Sequence, residues 1–169
     1  MLDKCKKSTS IYSGNASETE SLGHTIGLNC MPGDLILMTG ELGAGKTCFT
    51  QGLLYGLGSK DHVRSPTFVL IMEYPARIPL YHADLYRISQ MNELESIGIE
   101  EYLISDGVCV VEWADRIDSI FQIDHLAIKI DWHKSVPASN IRTISLTSKG
   151  YRHTKLLDRV ISSSSHKII

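Results

Sequence analysis

Residues Gly40 to Thr47 read GELGAGKT, a match to the pattern G-x-x-x-x-G-K-[ST]. Each fixed position has a chemical reason. Glycines let successive backbone N–H groups turn inward on anionic oxygens, so the amides of Glu41, Leu42, Gly43, Ala44 and Gly45 can line a phosphate. A helix starting here points its positive end at the same anion. Lys46 supplies a charge for the β- and γ-phosphates of a nucleotide, and Thr47 a hydroxyl for Mg²⁺. With glycine at about 7% of ordinary composition, this spacing is rare by accident. The stretch is read as a phosphate site, not as a glycine-rich turn with an exposed lysine.

Mg²⁺ at such a loop takes a second protein oxygen from the end of a neighbouring strand. The segment VCVVEW, Val108 to Trp113, offers Glu112 after four apolar residues. Asp84 in YHADLYR shares a strand face with His82. Asp84 can bind Mg²⁺ through water, orient an attacking water, or pair with Arg87. His82 reads as a packed histidine in preference to a base. Ser65 and Thr67, in RSPTF, bring two hydroxyls to a turn that enters a strand. Two readings stay open there: a switch that senses the γ-phosphate, or a plain proline turn.

The flanking pattern supplies the elements these groups need. SETE, Ser17 to Glu20, reads as a capping box, with a helix through Leu22 and Ile26 to about Asn29. LILMT, Leu35 to Thr39, is apolar on both faces and reads as a buried central strand. KTCFTQGLLYGLG follows as a helix with Phe49, Leu53, Leu54 and Leu57 inward and Gly58 as its stop. Strands are expected at Thr67 to Tyr74 and Pro79 to Tyr86, hairpin-paired, and at Gly107 to Trp113. One helix is expected over Gln90 to Leu103. LAIKIDW and IRTISLT read as antiparallel neighbours, and YRHTKLLDRVI as a terminal helix. The expected fold is a single α/β domain over 1–169, a three-layer P-loop NTPase-like sandwich. Its parallel central strands are extended by antiparallel ones, with about 1–12 and 162–169 as frayed ends.

A chain of 169 residues, 43% hydrophobic and 21% charged, is long enough for one full core. Its net charge of −2 offers no broad basic face for RNA or an anionic membrane. No apolar run approaches the ~18 residues of a membrane span, and no secretory signal is read. The four cysteines show no C-x-x-C pair. Cys48 and Cys109 are expected as buried reduced thiols, and a cytoplasmic location follows. The sequence lacks the N-K-x-D and D-x-x-G patterns of GTPases, which favours ATP. No arginine can be assigned from sequence as an arginine finger, so slow intrinsic turnover is expected.

Taken in order, SETESLG, PGDLILMTGELGAGKT, GLLYGLG, VRSPTF, LYHADLYR, ELESIGIEEYL and VCVVEWADRI resemble the TsaE (YjeE) family. These are bacterial ATPases of tRNA threonylcarbamoyladenosine biosynthesis. The resemblance covers about Ser17 to Ile117. It implies an ATPase acting with TsaD and TsaB, which modify the adenosine next to the anticodon of ANN-decoding tRNAs. Hydrolysis by the family member resets that complex, and tRNA is reached through the partners. The resemblance further implies that Gly43, Gly45, Lys46 and Thr47 hold the phosphates, and that Thr47 and Glu112 hold Mg²⁺. It makes Asp84 a functional aspartate and Trp113 the tryptophan after the acidic residue. Ala16 and Ser17 would neighbour the adenine. A late Gly-Arg pair of many relatives is replaced here by ASNIRT, leaving Arg142 or Asn140 for that place. Outside the resemblance, a small-molecule kinase and a nucleotide-gated binding module with little turnover remain open.

Overall fold

The computed structural model describes residues 5–66, 70–88, 90–96, 98–117, 122–133 and 140–163. Its strands are β1 (Lys6–Ser13), β2 (Leu35–Thr39), β3 (Ile71–Tyr74), β4 (Leu80–Asp84), β5 (Val108–Glu112), β6 (His125–Trp132) and β7 (Arg142–Lys149). Its α-helices are α1 (Ala16–Asn29), α2 (Lys46–Gly56), α3 (Met91–Ser96), α4 (Ile99–Leu103) and α5 (Tyr151–Ser163). A 3₁₀ turn spans Ala114–Arg116.

Among the described residues the strands form one sheet in the order β1-β7-β6-β2-β5-β4-β3. Strands β6, β2, β5 and β4 run parallel, whereas β1, β7 and β3 join antiparallel. The two central strands are apolar because both faces are covered. On one face, Ile36, Met38 and Val110 pack with Leu22, Phe49, Leu53 and Leu156 of α1, α2 and α5. On the other, Leu35, Leu37 and Val111 pack with Leu94 of α3 and Ile99 of α4. No described helix is long and apolar enough to cross a membrane.

Four expectations change. The N-terminal residues are not frayed from position 6: β1 pairs with β7 from Lys6↔Lys149 to Ser13↔Arg142. An edge strand needs little apolar pattern, and lysines at its outer end block further pairing. The helix cap lies at Asn15, not Ser17: Asn15 Oδ1 accepts from Glu18 N at 2.9 Å, and the Glu18 carboxylate accepts from Gly14 N at 2.7 Å. NASE is itself a capping pattern, and the earlier start adds the Thr19 N to Asn15 O bond at 3.2 Å. The helix expected over Gln90 to Leu103 is split by Gly98 at φ 66°, a left-handed conformation that ends one helix turn and starts α4. The hairpin strands are shorter than expected, Ile71–Tyr74 and Leu80–Asp84, and Thr67, Phe68 and Val69 lie outside the described residues.

Helices α1 and α2 touch through glycines. A Cβ on Gly23 would land on the Phe49 carbonyl, on Gly27 on that of Leu53, on Gly52 on that of Glu20, and on Gly56 on that of His24. These contacts set how deep α2 lies, and hence where the loop before it sits. Gly52→Ala is therefore expected to lower unfolding stability by about 2 kcal/mol or more, although alanine is the better helix former. Urea unfolding of the variant checks this; an unchanged midpoint means the helices can separate without cost.

Candidate functional site

The parallel strands β2, β4 and β5 end side by side, with Met38 and Asp84 both in register with Glu112. Ligands of open α/β sheets bind at such strand ends. After β2 the chain enters the glycine loop, where Gly43 has φ 77° and Gly45 φ 114°. Gly45 is the N-cap of α2 and contributes no side-chain cap; the first helical turn holds no acidic residue. The N–H groups of that turn are thus left for an external acceptor. The loop tip is exposed at Glu41, Leu42 and Gly43, while Ala44 is buried.

Lys46 folds back on its own loop. Its Nζ donates to Gly40 O at 2.8 Å and Glu41 O at 3.0 Å, and lies 3.8 Å from the Trp113 ring centre. A phosphate-loop lysine predicts a partly solvated side chain in an empty site, yet the residue is only 5% exposed, because the indole covers it. Burial pushes the ammonium below its usual range, against the opposing pull of Glu112, Asp84 and Asp115. Trp113 reaches the lysine by leaving β5 at φ 59°, a left-handed conformation that costs a non-glycine residue energy. Its ring also meets Tyr86 at 4.9 Å, and the Arg116 guanidinium lies 5.4 Å from the Tyr86 ring.

Thr47 and Glu112, 65 positions apart in sequence, are in contact: Thr47 Oγ1 donates to Glu112 Oε1 at 3.2 Å and to Oε2 at 3.4 Å. Glu112 is 2% exposed. It is therefore a buried carboxylate at a strand end, not a surface residue closing the strand. Oε1 also lies 3.0 Å from His82 Nε2 and 3.5 Å from Thr50 Oγ1. On the next strand end, Asp84 Oδ2 accepts from Ser65 Oγ at 2.8 Å and Oδ1 from Tyr86 N at 2.9 Å. The turn carrying Ser65 is thereby tied to β4, and Leu70 O holds Asp84 N at 3.0 Å.

Leu42, Gly43, Gly45, Lys46, Thr47, Cys48, Ser65, Asp84, Tyr86, Glu112 and Trp113 line one cleft of about 360 Å³. The Glu41 side falls instead in a second cleft across Trp113, with Asp115, Lys129 and Asp131. Arg142 braces the loop, its Nε donating to Ala44 O at 2.8 Å while its guanidinium stacks 4.5 Å from the Trp132 ring. Asn140 supplies a carbonyl to Arg142 Nη1 at 2.7 Å. Ala16 adjoins the loop exit, where its carbonyl accepts from Cys48 Sγ at 3.3 Å; Ser17 next to it is exposed. Cys48 is half-buried, less than expected, whereas Cys109 is buried and its thiol is pushed up to about 12. Thr67 lies outside the described residues. Sequence reasoning missed Tyr86, Thr50 and Cys48. The first follows Asp84 by two residues, and Thr50 and Cys48 lie three residues and one residue beyond Thr47 on α2.

Residues 13–141 match the family model described as Threonylcarbamoyl adenosine biosynthesis protein TsaE. The chain belongs to the TsaE family. The tRNA threonylcarbamoyladenosine biosynthesis protein TsaE of Bacillus subtilis is 38% identical over 147 residues, spanning 86% of this chain and 89% of that one. The TsaE protein of Treponema pallidum is 40% identical over 107 residues, 63% of this chain and 79% of its own. The crystal structure of Bacillus subtilis YdiB superposes with a TM-score of 0.80 at 33% identity, covering 93% of this chain and 96% of that one. The TsaE match includes the glycine loop, Asp84 and Glu112, and it ends one residue before Arg142.

Proposed function

We propose that this chain is a Mg²⁺-dependent ATPase with a P-loop NTPase-like fold, serving tRNA threonylcarbamoyladenosine biosynthesis together with TsaD and TsaB. The contact of Thr47 with Glu112, at the uncapped start of α2 and beside Lys46, carries the reading. Hydroxyl and carboxylate oxygens are hard ligands suited to Mg²⁺, which takes few protein groups and completes its shell with phosphate and water. Among the described residues no three His, Cys, Asp or Glu side chains gather as a metal cage, so any metal here would rely on that sparse set. Bound Mg²⁺ would neutralise charge on the outer phosphates.

The chain's own groups divide the remaining work. Loop amides and the start of α2 hold phosphate oxygens, and Lys46 moves from the loop carbonyls to them. Asp84, fixed by Ser65 and Tyr86 N, orients a water for in-line attack. Trp113 and the Ser65 turn pass the state of the site to a partner surface, and tRNA is met through the partners.

Glu112→Gln tests the metal assignment. The amide keeps size and hydrogen bonding but loses the charge that favours Mg²⁺. Hydrolysis is expected to fall at least about tenfold, about 1.4 kcal/mol of barrier, with nucleotide affinity changed less. Phosphate release measured across Mg²⁺ concentrations decides it. Activity equal to the parent moves the ligand elsewhere, with Asp84 next. Release of a phosphorylated acceptor in place of free phosphate would make the chain a kinase.

A further inference from the structure

His82 lies two residues before Asp84 on β4, in register with Val110 of β5 and Met72 of β3. Its side chain is fully buried, and its Nε2 is 3.0 Å from Glu112 Oε1. Its other nitrogen, Nδ1, is buried with no hydrogen-bond partner among the described residues. A carboxylate accepts, so Nε2 carries the hydrogen and donates. That leaves Nδ1 as a buried lone pair with nothing to accept from, a destabilising arrangement. Leu80, on the same strand face, is also fully buried and carries no such burden. Packing alone therefore does not account for an imidazole at position 82. The bond to Glu112 does.

We propose that His82 is a positioning residue for the cation ligand: its Nε2–H anchors Glu112 Oε1 and holds the carboxylate against Thr47. The proposal rests on the metal reading of the site and deepens it. From inside the protein His82 Nε2 lies 3.0 Å from Oε1; the Thr50 hydroxyl, 3.5 Å from Oε1, makes its shorter bond to Lys46 O at 3.1 Å. Thr47 Oγ1 lies 3.2 Å from Oε1 and 3.4 Å from Oε2. A donor held on Oε1 stops the carboxylate from turning about its last bond, so the group is in place beside Thr47 before a cation arrives. Groups that orient a metal ligand in this way commonly affect metal affinity by about 10- to 100-fold. Strand β4 would then serve the site twice, with Asp84 at its end and His82 one step further inside.

The test is calorimetric binding of a non-hydrolysable ATP analogue at a series of Mg²⁺ concentrations. His82→Leu removes the unsatisfied Nδ1 but also a donor to buried Glu112, so its urea midpoint is measured first and the binding test is read on the folded protein. It should raise the Mg²⁺ midpoint by about tenfold or more, leaving metal-free analogue affinity within about twofold. His82→Gln, whose amide can donate to Oε1, should recover most of the loss. In a Glu112→Gln background, His82→Leu should make no further difference. A folded His82→Leu protein with the parent's Mg²⁺ midpoint overturns the proposal, and so does an equal shift in the Glu112→Gln background. If His82→Leu does not fold, His82→Asn, whose amide stops short of Oε1, is held to the same criteria. Analogue binding by the parent that ignores Mg²⁺ overturns the metal reading as well. A Mg²⁺-dependent parent with an indifferent variant overturns the positioning role alone.

Discussion

Lys46→Met is expected to lower kcat/KM for ATP hydrolysis at least about a hundredfold, or about 2.7 kcal/mol of transition-state stabilisation. Methionine is the informative replacement because Lys46 is 5% exposed and covered by Trp113. Either replacement releases the Gly40 and Glu41 carbonyls, but Lys46→Ala would also open space beneath the indole, so lost packing would mix with lost chemistry. A thioether keeps the stem and removes the ammonium. The site otherwise presents three nearby carboxylates, Glu112, Asp84 and Asp115. Without the lysine, the β- and γ-phosphates would face that negative field with only backbone amides and a divalent cation to balance it. Calorimetry with ATP and a phosphate-release assay check the result. A folded Lys46→Met protein that hydrolyses ATP at the parent rate removes Lys46 from the site.

The same lysine marks where sequence reading reaches its limit. Its spacing from Gly40 and Thr47 predicts a phosphate-binding task without any structure, since a phosphate loop has few chemical solutions. Its resting position depends on Trp113 turning back at φ 59°, and no spacing rule announces a left-handed tryptophan after a strand. Central strands β2 and β5 were legible because burial on both faces demands unbroken apolar runs. Strand β1 was not, because pairing on one side constrains KKSTSIYS so weakly. The glycines of α1 and α2 have i, i+4 spacing, Gly23 with Gly27 and Gly52 with Gly56. That pattern can be found in sequence, but which helix it faces is a tertiary fact. The pairing of Thr47 with Glu112 is expected from the sequence, whereas the contact of His82 with Glu112 needs the register of β4 against β5.

Phosphate release by the isolated chain is expected to be slow and to rise by about 10³-fold at saturating TsaB–TsaD complex, the scale of one supplied arginine. The argument is a count of cations where charge develops. Among the described residues lining the cleft, Lys46 is the one cationic side chain. Arg142 is committed to the Ala44 and Asn140 carbonyls and to the face of Trp132. Arg116 lies over the rings of Tyr86 and Trp113, 5.4 and 5.8 Å from their centres. A loose phosphoryl-transfer transition state spreads charge over the equatorial oxygens, and loop amides, one lysine and Mg²⁺ leave part of it unmatched. The missing donor then comes from a partner, or from Arg116 turned inward when a partner displaces the aromatic pair. Leu42 at 78% exposure and Tyr86 at 42% offer apolar surface at the cleft that a partner can cover, and the Tyr86 N–H donates to the Asp84 carboxylate. The two sources separate cleanly: Arg116→Ala abolishes the acceleration if the arginine is internal and spares it if the partner supplies one. Turnover unchanged by the complex, together with no ATP-dependent association, leaves a nucleotide-binding domain whose hydrolysis is not coupled to TsaB and TsaD.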